Sequence, residues 1–116
     1  MSNHEKLKAF LRPYERSFYD GALQLYALPF SFVPEVAKFA KQLYIPILGG
    51  DVYIIQNGSL IPAYANWYIT DKKENESDIE YLERSVTHTE QYLADLPKDF
   101  AGDEYVFDIV FGDSLT

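Results

Sequence analysis

The sequence predicts an α+β fold: a mostly antiparallel sheet of about four to five strands, two main helices packed on it, and a short N-terminal helix. Three observations carry that prediction. Asn57-Gly58 separates two apolar runs, and that dipeptide is the strongest short-range hairpin signal, because a type I′ turn needs positive φ at both central positions. Residues 31–44 and 77–96 repeat apolar side chains at helical spacing. Tyr105 to Phe111 alternates with period two, as a strand does.

In chain order, Asn3 to Arg12 reads as a short peripheral helix. Leu7, Phe10 and Leu11 share a face, and Pro13 ends it. Tyr14 to Gly21 reads as a connection. The segment around 22–27 reads as a strand that Pro29 stops, although Ala22-Leu23-Gln24-Leu25 is also compatible with helix. In the helix at 31–44, Ser31 is the expected cap, and Pro34 falls in the first turn, where a missing N–H costs little. Phe32, Val36, Phe39, Ala40 and Leu43 make its buried stripe.

The central hairpin takes in 47–56 and 59–65, with a further strand at 67–70. Val52 and Ile54 share one face of the first strand, Tyr53 and Ile55 the other, so both faces are apolar and the strand should be central. With Asn57-Gly58 as the loop, Gln56 faces Ser59, Ile55 faces Leu60, Ile54 faces Ile61 and Tyr53 faces Pro62. Pro62 lacks an N–H, so the second strand should be an edge there, or a bulge should interrupt it.

Asp71 to Glu76 reads as a solvated charged loop. Ser77 and Glu80 form a capping box that starts the clearest helix. Ile79, Leu82, Val86, Leu93 and Leu96 form its apolar stripe, with Tyr81, Ser85 and Tyr92 beside it. Glu80, Glu83, Arg84, Glu90, Gln91 and Asp95 are expected to face water, with Glu80 and Arg84 as an i,i+4 pair. Pro97 to Asp103 reads as a turn region, 104–111 as the last strand, and Gly112 to Thr116 as a loose tail.

The 116 residues suit a single domain, 1–116. Without cysteine there is no disulfide framework, zinc-thiolate site or thiol nucleophile. No signal-peptide core opens the chain and no run approaches membrane-spanning length, so a cytoplasmic protein is expected. The net charge of −8 is uneven: residues 1–70 carry +1 and residues 71–116 carry −9. An acidic half disfavours nucleic acid and anionic membranes and favours a basic partner. The plainer reading is a solvated surface that resists self-association. The ten tyrosines and eight phenylalanines exceed one small core, so some tyrosines should lie on the surface.

Little in the chain signals chemistry. Gly49-Gly50 runs into a strand rather than a helix N-terminus, which fits a bulge or close backbone approach better than a phosphate loop. Asp51 beside them reads as a turn or backbone-bonding residue before a catalytic acid. His4 and His88 lie in different helices without spaced partners. Asp71, Glu74, Glu76 and Asp78 lack the glycine and terminal bidentate glutamate of a calcium hand. Asp108 interrupts an apolar strand and is expected on its less covered side. Trp67 and Tyr68 read first as core aromatics and second as binding residues. No catalytic, cofactor-binding or metal-binding residue is assigned.

Leu48-Gly49-Gly50-Asp51-Val52, then Asn66-Trp67-Tyr68, then an acidic loop, a helix with Tyr81, Ser85 and Tyr92, and a final aliphatic and aromatic strand resemble the Immunity protein 40 family of bacterial polymorphic-toxin systems. The resemblance covers roughly residues 20–111. It implies an antidote that binds and blocks a cognate toxin domain, with Gly49, Gly50, Asp51, Asn66 and Trp67 at signature positions and no catalytic assignment.

The leading functional expectation is therefore a toxin-neutralising protein whose acidic half meets a basic toxin face, with Glu74, Glu76, Asp78, Glu80 and Glu83 as the contact set and Tyr68 as aromatic neighbour. The alternative is a regulatory interaction module with another basic partner. A small enzyme built on Asp51 or Asp108 is the weakest reading.

Overall fold

The computed structural model describes residues 1–20, 23–96 and 104–115. In order they form α1 (Asn3–Leu11), β1 (Arg16–Asp20), β2 (Leu23–Pro29), a 3-10 turn (Phe30–Phe32), α2 (Val33–Gln42), β3 (Ile47–Gln56), β4 (Ser59–Tyr68), α3 (Asp78–Ala94) and β5 (Glu104–Phe111). The fold is α+β, as the sequence predicts. The five strands make one antiparallel sheet in the order β1-β2-β5-β3-β4. It curls enough to bring β1 near β4.

The hairpin has the expected register: Gln56 pairs with Ser59, Ile55 with Leu60, Ile54 with Ile61 and Tyr53 with Pro62. Asn57 and Gly58 have φ of 51° and 78°, as a type I′ turn requires. Both devices foreseen at Pro62 are present. β4 is the last strand in the order, and the ladder shifts register between Val52 and Tyr53. β4 also runs unbroken to Tyr68, so the separate strand expected at 67–70 is the end of this one.

Further expectations change. Residues 16–20, read as a connection, form β1, which pairs antiparallel with β2 from Arg16↔Ala27 to Asp20↔Leu23. Phe18 and Tyr19 suit a strand, and the partner that completes the ladder begins only three residues on, at Leu23. Ser31 does not cap α2: it lies in the 3-10 turn, and Phe32 occupies the cap position without a side-chain bond. The turn region expected at 97–103 and the strand residue Ala22 lie outside the described residues.

The core has two parts, and α2 serves both. Val36 and Ala40 join Leu7, Leu11, Leu28, Phe32 and Ile45 on one side. Val33 and Ala37 join Ile47, Val52, Trp67, Leu93 and Phe107 on the other. α1 is thus a core element rather than a peripheral one. Ser2 and Glu5 form a capping box at its start, and Phe10 stacks on Phe39 with ring centroids 4.2 Å apart. The tail is bonded rather than loose. Gly112 N–H donates to the Pro46 carbonyl at 2.9 Å, and Leu115 N–H donates to the Tyr44 carbonyl at 2.8 Å.

Tyr44 completes the end of α2. Its N–H donates to the Lys41 carbonyl at 3.0 Å and Ile45 N–H donates to the Ala40 carbonyl at 2.9 Å, the bond pair of a Schellman ending. The residue between those bonds is left-handed, with φ of 57° at Tyr44. Glycine is the usual occupant, since a Cβ there costs about 1 kcal/mol.

Candidate partner-binding surface

Gly49-Gly50-Asp51 and Asn66-Trp67-Tyr68 are one unit in space. Gly49 pairs with Tyr68, Gly50 with Trp67 and Asp51 with Asn66. Strand alternation sends Gly50 and Trp67 to the face covered by α3, and Asp51, Asn66 and Tyr68 to the opposite face.

On the covered side the fit is tight. A Cβ on Gly50 would lie 2.6 Å from the Trp67 ring and 2.8 Å from the Asp108 carbonyl oxygen; one on Gly49 would collide with the Trp67 carbonyl. These glycines serve the close backbone approach expected of them, and the β3–β5 ladder shifts register between Ile47 and Gly49. Trp67 is 3% exposed and stacks on Tyr92 with centroids 5.1 Å apart. Its indole N–H donates to Thr89 Oγ1 at 3.0 Å, and that hydroxyl donates to the Ser85 carbonyl at 2.9 Å. Ser85 Oγ accepts from Ile47 N–H at 3.3 Å and donates to the Leu82 carbonyl at 2.8 Å.

The buried stripe of α3 is therefore Leu82, Ser85, Thr89 and Leu93, with Tyr81 beside it. Two small hydroxyl residues sit where the periodicity argued for Val86, because only short side chains let the helix reach the tryptophan and strand backbone. Ile79, expected in the stripe, is 46% exposed.

On the open side, Asp51 stands between Asn66 and Asp108 on neighbouring strands. Asp51 is mid-strand, which replaces the turn role expected of it. Asp108 is exposed, as foreseen. Its carboxyl sits above the usual carboxylate range, first because its surroundings shed water and second because the Asp51 carboxylate faces it. Tyr68, read first as core, is 55% exposed here.

The acidic loop is organised by Arg84, which the sequence placed in water. Its Nε donates to Glu76 Oε2 at 2.8 Å and its Nη2 donates to Glu76 Oε1 at 2.9 Å. The remaining guanidinium donors reach the Thr70 carbonyl and Oγ1 and the Asp71 carbonyl, at 3.0–3.1 Å. All five N–H groups are thereby used, so Arg84 has none left for the pairing expected with Glu80. The guanidinium also lies 5.2 Å from the Tyr81 ring centroid. Arg84 and the Lys73 N–H hold the Glu76 carboxyl down to about 2.

The expected contact residues are thus placed differently from one another. Glu74 is exposed on the loop turn. The Glu76 side chain is only 10% exposed and is closed over by Arg84. Glu80 accepts from Ser77 N–H at 3.0 Å in the capping box that was foreseen. Asp78 lies 3.2 Å from Lys72 and Glu83 3.8 Å from Lys41, both on exposed side chains. Sequence reasoning missed Arg84 as the organiser, because its partners Thr70, Asp71 and Glu76 lie in the loop before α3, outside the i,i+4 spacing.

Among the described residues, no group of three histidines or acids could hold a metal ion, and no helix is long and apolar enough to cross a membrane. An apolar cleft between α2 and α3, lined by Phe30, Val33, Ala37, Leu93 and Ala94, has Glu90 and Thr89 as its polar members. No curated protein and no solved structure gives a match. A family model described as Immunity protein 40 matches residues 17–111, a span that contains α2, α3 and the sheet apart from Arg16 at the start of β1. With most of its length matched, the chain belongs to the Immunity protein 40 family.

Proposed function

We propose that this chain neutralises a cognate bacterial toxin domain by binding it through its acidic surface, without catalysis, in the cytoplasm of the producing cell. Family membership is the observation that carries the reading. The charge distribution supports the chemistry: residues 71–116 hold −9 of charge, and Glu74, Asp78 and Glu83 are exposed. A basic toxin face would be steered toward them, and their loose lysine partners would yield to the toxin's cations. Glu76 and Glu80 serve the same surface indirectly, by fixing the loop and the start of α3. Tyr68 contributes from the open sheet face beside Asp51 and Asn66.

The test is rescue. Co-expression with toxin C-terminal domains from the same host should restore growth for the cognate pair, and the pair should copurify. Binding should weaken as salt rises. Charge reversal at Glu74, Asp78 and Glu83 together should weaken it at least about tenfold. Rescue without a complex would instead favour an enzyme acting on the toxin or its target. A complex indifferent to salt and to the reversals would remove the acidic-face contact.

A further inference from the structure

The sheet is not seamless between β2 and β5. Only Leu28↔Phe107 and Pro29↔Val106 pair, although β2 reaches back to Leu23 and β5 runs on to Phe111. Proline has no N–H, so Leu28↔Phe107 is the bonded pair, and Phe107 turns its N–H and C=O toward β2. Two residues on, Ile109 turns the same groups toward the same edge. Among the described residues no ladder partner meets it there: Tyr26, which that register would place opposite, pairs only with Ser17 on β1. Where the two strands part they leave a slot of about 270 Å³. Leu11, Leu28 and Phe111 supply its apolar lining, Glu15 and Asp108 are its charged members, and Tyr26, 54% exposed, borders it.

We propose that this slot receives a long cationic side chain, arginine or lysine, projected by the toxin domain. That contact rests on the immunity reading and lies outside the acidic set on α3 and its loop. Charge complementarity argues for the occupant. Among the described residues no lysine or arginine lines the slot, and neither of its acids is in an ion pair. Arg16, next to Glu15 in sequence, pairs with Ala27, one step out of phase with Ser17↔Tyr26, so strand alternation sends its side chain to the other face of the ribbon. Asp108 is short of countercharge: lost water and the facing Asp51 carboxylate both hold its carboxyl above the usual range, and no cation offsets them. The slot has what a long cation needs. Its apolar lining suits the stem, and the two carboxylates and the Ile109 carbonyl are acceptors for the head. Through the Asp108, Asp51 and Asn66 row it is continuous with the open sheet face that carries Tyr68.

The experiment measures binding kinetics and melting temperature together, using the intact chain and the toxin domain that it rescues. Glu15→Gln combined with Asp108→Asn should melt at or above the wild-type temperature and bind at least about tenfold more weakly, chiefly through faster dissociation. Glu35→Gln combined with Asp113→Asn removes the same charge from exposed positions outside the slot and should stay within about twofold of wild type. The toxin's lysines and arginines are then replaced by alanine one at a time. One replacement should weaken binding to the wild-type chain about tenfold and leave binding to the Glu15→Gln, Asp108→Asn chain unchanged, which is the coupling a direct contact gives. Unchanged affinity in that double variant overturns the slot and leaves the immunity reading intact. So do equal losses in the two double variants, which would make net charge the cause, and a scan in which no single cation couples. Absence of wild-type binding to every toxin domain of the host overturns the immunity reading and the slot with it.

Discussion

Gly50-Trp67 and Asp51-Asn66 are adjacent rows of the same two strands, yet they have opposite environments. The first row is sealed under α3, with the ring of one residue filling the space where the other would have a Cβ. The second row looks out from the other face, and its neighbour across β5 is a second carboxylate. These two paired blocks therefore contain a packing half and a surface half. Adjacent residues of one short block need not share a role: alternate residues of a strand answer to different constraints, because they point into different media.

The comparison can be broken most severely at Trp67. Trp67→Ala removes the buried ring from the second core cluster and should cost about 3–5 kcal/mol by chemical denaturation, whereas Asn66→Ala should stay within about 0.5 kcal/mol. If the two substitutions cost the same, the division of the motif fails. Gly50→Ala comes next. The added methyl meets the Trp67 ring and the Asp108 backbone, and overpacking of that kind should cost about 1–3 kcal/mol. Thr89→Val is close behind it: the shape is kept, but the indole N–H loses its acceptor, at a cost of about 1–3 kcal/mol.

Two carboxylates sharpen the contrast through pH, and their signs differ. Glu76 is held down to about 2 by Arg84, from an ordinary value of 4.5. Its contribution is full above that ordinary value and is lost as pH falls toward about 2. Glu76→Gln should lower stability at neutral pH and flatten the acid limb of a melting-temperature profile. Asp108 is raised instead, so its ionisation opposes folding. The relative stability it confers is present below the ordinary 3.8 and is lost as pH rises through its own higher value. Asp108→Asn is the smallest effect: a gain of about 0.5 kcal/mol at neutral pH that disappears in acid. A loss at neutral pH would mean that Asp108 has a stabilising partner within the chain that its surroundings do not suggest.

Legibility followed the range of the forces involved. The Asn57-Gly58 turn carries its own backbone geometry, and the pairing from Gln56↔Ser59 to Tyr53↔Pro62 follows from it by counting. Ser77 and Glu80 satisfy each other three residues apart, so the start of α3 could be read directly. Ile79 and Ser85 could not be placed by the same route. Helical periodicity names a face but not what covers it, and α3 meets β3 through Ser85 and Thr89 because the glycines and tryptophan of the hairpin leave room only for short side chains. Of the candidate contact set, exposure of Glu74, Asp78 and Glu83 was readable from charge density. The capture of Glu76 by an arginine eight residues away was not.

By itself, the sequence determined the α+β class, the hairpin and its register, the capped start of α3, the alternation of β5 and the acidity of the second half. Each is written in dihedral preference, short-range hydrogen bonding or composition. Only the tertiary structure decided that residues 16–20 are a strand, that α1 and the tail brace the α2 ending, that Arg84 gathers the acidic loop, and that β2 and β5 part beyond Leu28↔Phe107. Apart from the β1–β2 pairing, whose partners lie three to eleven residues apart, those outcomes depend on contacts between separate elements, set by packing of the whole fold and not by any window of sequence.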